Sequence, residues 1–243
     1  MLVLVPLSAA AQQVRDDSFR FDNPNPAFSM GEGPRVCIDE AHYNLSPHGG
    51  PETPFADLMR ADGYVVTGFA TGFTRESLAD CDLLVVANPL AAANEDDWSY
   101  PHPSAFSKDE IRETMEWVRA GGRLLLFADH APIPGAARDL GAVLGIVMID
   151  VYVDGGPGPD HFRVADGTLL PHPILQGRDA TEQVDSVLTF TGQAAQITQG
   201  WEPLLVFGPE AKARISLPQS FREGPSAEWP EFSGGRLGPR GRA

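Results

Sequence analysis

Two stretches of this chain, Leu83-Leu84-Val85-Val86-Ala87 and Leu124-Leu125-Leu126-Phe127, are apolar without interruption. A strand with one wet face alternates apolar and polar side chains, so an unbroken run of this length reads as a strand covered on both faces. Sheets covered on both faces are nearly always parallel, because the crossover helices supply the cover. A shorter run, Val36-Cys37-Ile38, and Tyr64-Val65-Val66 add two further strands. The helices that such a sheet needs lie between them. Thr53 can cap one, with Pro54 in its first turn, Phe55, Leu58 and Met59 on one face, and Gly63 as its stop. Thr74 to Ala79 allows one or two helical turns. Ser107-Lys108-Asp109-Glu110 is a capping box, followed by the stripe Ile111, Met115, Val118 and the stop Gly121-Gly122. Ala136, Leu140, Val143 and Leu144 make a fourth helix, stopped at Gly145.

This alternation predicts an α/β fold: a three-layer α/β/α, doubly wound, mostly parallel sheet. The signal weakens after Gly145. Val147 to Val153 reads as one strand, Gly155 to Pro159 as a flexible loop, and Val187 to Phe190 and Leu204 to Phe207 as short strands. Only Ile215 to Leu217 is strand-like beyond that, so the reading allows for a sheet lacking its last strand and helix. The domain runs from residue 35 to 233, preceded by a polar arm (12–34) rich in Asp, Asn and Pro and followed by an irregular Gly/Arg-rich tail (234–243). Met1 to Ala11 is apolar and ends on Ala9-Ala10-Ala11, an Ala-x-Ala pattern before Gln12 that predicts part of a secretory signal cleaved after Ala11. The expected location is therefore periplasmic or extracellular, and no other stretch is long and apolar enough to span a membrane.

Charge narrows the partners. With 33 acidic and 18 basic residues among 243, the net charge is -15, which repels phosphate backbones and anionic head groups. Nucleic acid is not an expected partner. Cys37 and Cys81 are the two cysteines of the chain, which leaves no thiol-rich metal motif and room for one bridge.

In open parallel sheets ligands bind beyond the carboxyl ends of the strands, where loops converge and helix N-termini point. The first strand exits through Asp39, Glu40, His42 and Asn44, the third through Asn88, the fourth through Asp129 and His130. These seven residues are the candidate ligand-binding set, and Asp39, His42, Asn88, Asp129 and His130 are expected to converge on one cleft. Asp129 and His130 precede a helix whose positive end would favour an anionic or hydroxyl-rich ligand. Each residue alone is as readily a cap or turn former. Asp160, His161 and His172 are further candidates, in or after a Gly/Pro-rich segment placed to fold over the sheet edge.

The strand order and the turn Phe127-Ala128-Asp129-His130-Ala131 resemble the class I glutamine amidotransferase-like superfamily, a flavodoxin-like fold whose strand-turn-helix elbow presents the catalytic residue. Ile38-Asp39-Glu40-Ala41-His42-Tyr43-Asn44, Asp62-Gly63-Tyr64, Ala128-Asp129-His130 and His172-Pro173-Ile174 are similar to an exported subfamily related to ThuA-like and gliding-motility amidotransferase-like domains, over about Arg35 to Phe207. The resemblance implies the fold. Amidotransferases carry a cysteine at the elbow where this chain has Asp129-His130, so the resemblance implies no glutaminase chemistry.

Two functions follow as expectations. One is an exported domain without the cysteine nucleophile that binds a small polar or carbohydrate ligand, with Tyr43, Asn44, Asn88, Trp98 and Tyr100 supplying rings and amides. The other is a hydrolase in which Asp39, His42, Asp129 and His130 hold a divalent metal that activates water. No Gly-x-Ser-x-Gly elbow is present for a serine hydrolase. No organic cofactor is implied.

Overall fold

The computed structural model describes residues 20–44, 53–154, 160–189, 192–198, 200–214 and 231–232. The predicted cleavage site at Ala11, the Gly155 to Pro159 loop, the Ile215 to Leu217 segment and the 234–243 tail lie outside them. The core elements are β1 (Arg35–Asp39), α1 (Pro54–Ala61), β2 (Val65–Phe69), α2 (Arg75–Leu78), β3 (Leu83–Ala87), α3 (Lys108–Arg119), β4 (Arg123–Phe127) and α4 (Ile133–Val143). The four strands form one parallel sheet in the order β2-β1-β3-β4.

Alternating residues of the sheet feed two cores. Val36, Ile38 and Val85 pack against Ala56 of α1, flanked by Phe55 and Met59. Cys37, Leu84 and Val86 join Leu78 of α2, Phe106 and Leu140 of α4, with Ile111 and Trp117 of α3 alongside. Burying each large aliphatic side chain of these sets contributes about 1.5–3 kcal/mol. The helix signals act as the sequence implies. Thr53 accepts from the Ala56 amide, and Ser107 and Glu110 close a reciprocal capping box on α3. Thr74 and Ser77 close a second box on the short α2. Gly63 ends α1 with φ +93°, a conformation that disfavours a Cβ.

The remaining strands are short: β5 (Ile146–Met148), β6 (Tyr152–Asp154), β7 (Asp160–Arg163), β8 (Ser186–Thr189), β9 (Ala195–Ile197), β10 (Lys212–Arg214) and β11 (Glu231–Phe232). They form small antiparallel sheets, β5-β9, β7-β8 and β6-β10-β11. The single strand expected over Val147 to Val153 is thus two strands with different partners. The break falls at Ile149 to Val151, where the Val151 amide turns back to the Ile149 carbonyl at 2.8 Å and the Asp150 side chain is drawn toward α4. Leu204 to Phe207 is not a regular strand. Leu204 and Val206 exchange backbone hydrogen bonds with Leu170 and Thr168, and Leu205 forms an isolated bridge to Leu169. Among the described residues β4 is an edge of the parallel sheet.

The described part of the arm is docked. Asp62 Oδ1 accepts from Asn23 Nδ2 at 2.9 Å and from the Ala27 amide at 2.8 Å. The Gly33 amide donates to the Gly63 carbonyl, and Phe28 meets Tyr64 edge-on at 5.1 Å.

Cys37 and Cys81 are joined in a disulfide buried in the second core, with a sequence separation of 44 that takes in the end of β1 and all of α1, β2 and α2. Chain entropy predicts that this bridge stabilises the fold by about 4 kcal/mol. Urea unfolding of the wild type and of the double variant Cys37→Ser, Cys81→Ser measures it, and a loss below about 1 kcal/mol would mean that the loop is already ordered in the unfolded chain.

Candidate functional site

Asp39 is the last residue of β1, and its side chain is fully buried. Its Oδ1 accepts from the Ala41 amide at 3.0 Å, which turns the chain and sets His42 beneath the strand end. His42 Nδ1 lies 2.9 and 3.0 Å from the two Asp39 oxygens, and its Nε2 lies 3.1 Å from Glu110 Oε1 at the start of α3. The ring is held between Phe73 and Phe106, each at 4.6 Å. Burial alone would lower the His42 pKa, but the Asp39 hydrogen bond and the charges of Asp39 and Glu110 outweigh it and raise it. Burial would raise the Glu110 pKa. The Ser107 hydrogen bonds and His42 outweigh that and lower it. The ring, with its pKa raised, stands between two carboxyl groups and ties the exit of β1 to the first turn of α3.

The Glu110 carboxylate meets three partners: Oε2 accepts from the Ser107 amide at 2.9 Å, and Oε1 faces His42 and the Phe73 amide at 3.3 Å, while its own amide donates to Ser107 Oγ to close the capping box. A cleft of about 470 Å³ lies between the starts of α2 and α3, lined by Phe73, Thr74, Ser107 and Glu110. Much of its charged rim is self-paired, Arg112 binding both Asp109 and Glu113.

The next group fixes the strand exits to one another. Asn44 Nδ2 donates to the Ala87 carbonyl at 3.0 Å, and Asn44 Oδ1 accepts from the His42 amide at 3.3 Å. Asn88 takes a left-handed backbone, φ +51°, and its Oδ1 accepts from the Asp129 amide at 3.0 Å. Asp129 Oδ1 accepts in turn from the His130 amide at 2.8 Å. Asn and Asp tolerate such local hydrogen-bonded turns, which is why they end these strands. Glu40 is exposed on the β2 side, where its carboxylate covers Gly68.

A third group stands at the exit of β4. His130 Nδ1 lies 2.8 Å from the Ala131 carbonyl, and its ring faces Trp98 at 6.2 Å and Tyr152 at 5.5 Å. Behind them the buried His102 has Nδ1 2.7 Å from Asp150 Oδ2 and donates from Nε2 to the Trp98 carbonyl at 2.9 Å. Tyr100 stacks on His102 at 3.9 Å, and its hydroxyl donates to the Asp150 carbonyl at 3.1 Å. Burial, reinforced by Asp150 and opposed by Arg138, raises the Tyr100 pKa. Asp150 Oδ1 accepts from the Gly135 amide at 3.2 Å, in the first turn of α4, where Pro132 supplies no side-chain cap.

The seven predicted residues are thus divided rather than gathered. Asp39 and His42 go inward with Glu110; Asn44, Asn88 and Asp129 brace the exits; His130 joins an aromatic wall; Glu40 faces solvent. The four-residue metal set is not assembled: among the described residues no group of three or more His, Cys, Asp or Glu side chains is arranged to hold a metal ion. Asp39 and His42 direct their oxygens and ring nitrogens at each other, Ala41 and Glu110. The positive end of α4, expected to attract an anionic ligand, already carries the Asp150 carboxylate. Of the outlying candidates, His172 accepts from the Ile174 amide at 3.1 Å as a cap, and His161 pairs with Arg163 on β7. The side chain of Asp160 lies outside the described residues. Sequence reasoning missed Glu110 as a partner of His42, and missed His102, Asp150 and Tyr152. The visible signals were Pro101-His102-Pro103 and the lone acid in Ile149-Asp150-Val151.

No protein-family model matches the chain, and no curated protein does. Among solved structures it is similar to the N-terminal domain of mmIFT52, with a TM-score of 0.54 and 14% identity over 77% of this chain and 82% of that one. At that identity the likeness is one of fold. It also aligns with a protein from Bacteroides uniformis described as ThuA-like, with a TM-score of 0.39 and 16% identity over 73% of this chain and 64% of that one.

The His42 and Glu110 pair makes stability depend on pH from both sides. The raised His42 pKa gives a contribution that is complete below its ordinary 6.5 and lost as pH rises through the folded-state value. The lowered Glu110 pKa gives one that is complete above its ordinary 4.5 and lost as pH falls through the folded-state value. Urea unfolding across pH should therefore peak between those two values. His42→Gln should cost about 3 kcal/mol near the peak, because it leaves buried Asp39 without its cation, and should flatten the alkaline limb. An unchanged alkaline limb in the variant would place the titration elsewhere.

Proposed function

We propose that this chain is an exported α/β domain of flavodoxin-like, three-layer design, related to the class I glutamine amidotransferase-like superfamily but lacking its cysteine nucleophile. In this reading it binds a small polar or carbohydrate ligand at the exit of β4. The observation that carries the reading is the wall formed by Trp98, His130 and Tyr152, all partly exposed, beside the amide of Asn88 and the carboxylate of Asp129. Aromatic faces cover the apolar faces of sugar rings, and amides and carboxylates read hydroxyls.

The rest is in keeping. The order β2-β1-β3-β4, with α1 on one face and α2, α3 and α4 contributing to the other, is that of the first four strands of a flavodoxin-like sheet. Both cysteines are closed in a buried disulfide, which fits an oxidising compartment and leaves no thiolate for attack on an amide. The exported subfamily with ThuA-like and gliding-motility relatives is the narrower form of the same proposal, with a periplasmic or extracellular location.

Binding of a panel of neutral oligosaccharides, followed by calorimetry and by tryptophan fluorescence, tests it. At least one should bind, and Trp98→Ala and Tyr152→Ala should each weaken binding about tenfold, the value of one ring contact. No binding by the wild type, together with a stoichiometric divalent metal that is lost on Asp129→Ala, would replace this reading with the metal-assisted hydrolase.

A further inference from the structure

The wall at the β4 exit is assembled around one buried couple. His102 has a side chain 2% exposed and Asp150 one 12% exposed, in contact at 2.7 Å. From His102 the support runs outward through Nε2 to the Trp98 backbone and through its ring face to Tyr100. From Asp150 it runs through the main chain, whose carbonyl holds the Tyr100 hydroxyl and whose neighbour Val151 accepts from the Ala131 amide, to Tyr152 and the His130 turn. The α4 side of the couple is fitted to it. A Cβ on Gly135 would stand 2.6 Å from His102 Cβ and 2.7 Å from Asp150 Oδ2, so only glycine there lets the carboxylate reach the helix amide.

We propose that the His102–Asp150 couple is the positioning and charge-selecting element of this site: it holds the Trp98 and Tyr152 rings in place and, by laying a carboxylate across the start of α4, turns away acidic ligands in favour of neutral, hydroxyl-rich ones. The inference rests on the ligand reading above and adds the class of ligand. Its physical basis is that the peptide dipoles and free amides at a helix start attract an anion. Here Asp150 Oδ1 takes the Gly135 amide, and Asp129 adds a second carboxylate beside the wall. The basic groups on this side are Arg138, whose Nη2 donates to the His102 carbonyl at 3.4 Å, the wall's own His130, and His102, whose ring is already taken up by Asp150 at 2.7 Å. An acidic sugar placed on the wall meets the Asp129 carboxylate and finds the start of α4 already taken by Asp150, in a chain of net charge -15. A neutral sugar carries no charge for these carboxylates to repel.

Two measurements keep the parts separate. In the first, Asp150→Ala is compared with the wild type by thermal unfolding in rising formate, with chloride as the ionic-strength control. A small carboxylate should restore the variant saturably and leave the wild type unmoved. Equal responses of the two proteins would overturn the role of Asp150 at the helix start. In the second, wild type and Asp150→Asn, which keeps an acceptor for the Gly135 amide but no charge, are titrated with galactotriose and trigalacturonate and with further neutral and uronic pairs of equal length. The wild type should prefer the neutral member by about tenfold or more, and Asp150→Asn should narrow that ratio by at least about fivefold, as removal of one nearby charge requires. Equal binding of both members by the wild type would overturn the selection while leaving the ligand reading standing. Binding of neither, with the formate response intact, would overturn the ligand reading and the selection with it.

Discussion

An imidazole that donates from both nitrogens must be charged, and a charge inside a protein survives only where opposite charge meets it at hydrogen-bond distance. His42 meets that condition through Asp39 and Glu110, and the two carboxylates come from opposite ends of the architecture: one closes the first strand, the other opens the third helix. The ring gives the fully buried Asp39 a partner and the partly exposed Glu110 a link to the strand end. The exit of β1 is therefore tied to α3 by charge rather than by backbone pairing. Asn44, two residues on, then braces β3, and Asn88, just past the end of β3, braces the turn after β4. The carboxyl edge of the sheet is a relay of side-chain locks that begins at His42, and the aromatic wall stands at its far end.

The strands and helices of the parallel sheet were legible because each rests on a local cause. Leu83 to Ala87 could only be a buried strand, Ser107 and Glu110 could only reward a helix start, and Gly63 could only relieve a left-handed turn. The segment Val147 to Val153 was misread because its apolar content fits one strand, whereas its pairing is decided by Asp150 leaving the strand to reach Gly135 and His102. That preference belongs to a helix and a loop far away in sequence, and periodicity carries no trace of it.

The candidate site shows the same division. That Asp39, His42, Asn88, Asp129 and His130 come to one edge of a sheet follows from where the apolar runs stop. Which of them face inward does not. Asp39 and Asp129 end comparable strands, yet Asp39 is fully buried against an imidazole while Asp129 is partly exposed and holds a turn. The difference is made by Glu110, which reads in sequence as one member of a capping box and in space also completes the charge balance around His42. A side chain with two roles reveals only the local one to a linear reading.

The docked arm has a mechanical consequence. Its contacts with Asp62, Gly63 and Tyr64 clamp the turn between α1 and β2, and Arg178 Nη2 reaches back to the Asn25 carbonyl from 153 positions away. A pull applied at the front of the chain is thus borne first by the Phe28 and Gly63 contact and the Asp62 carboxylate, and is passed to α1 and to the 178–182 turn before it can peel β1 from the centre of the sheet. The arm works as strain relief for the strand that leads to His42, in the way a cable is anchored short of its solder joint.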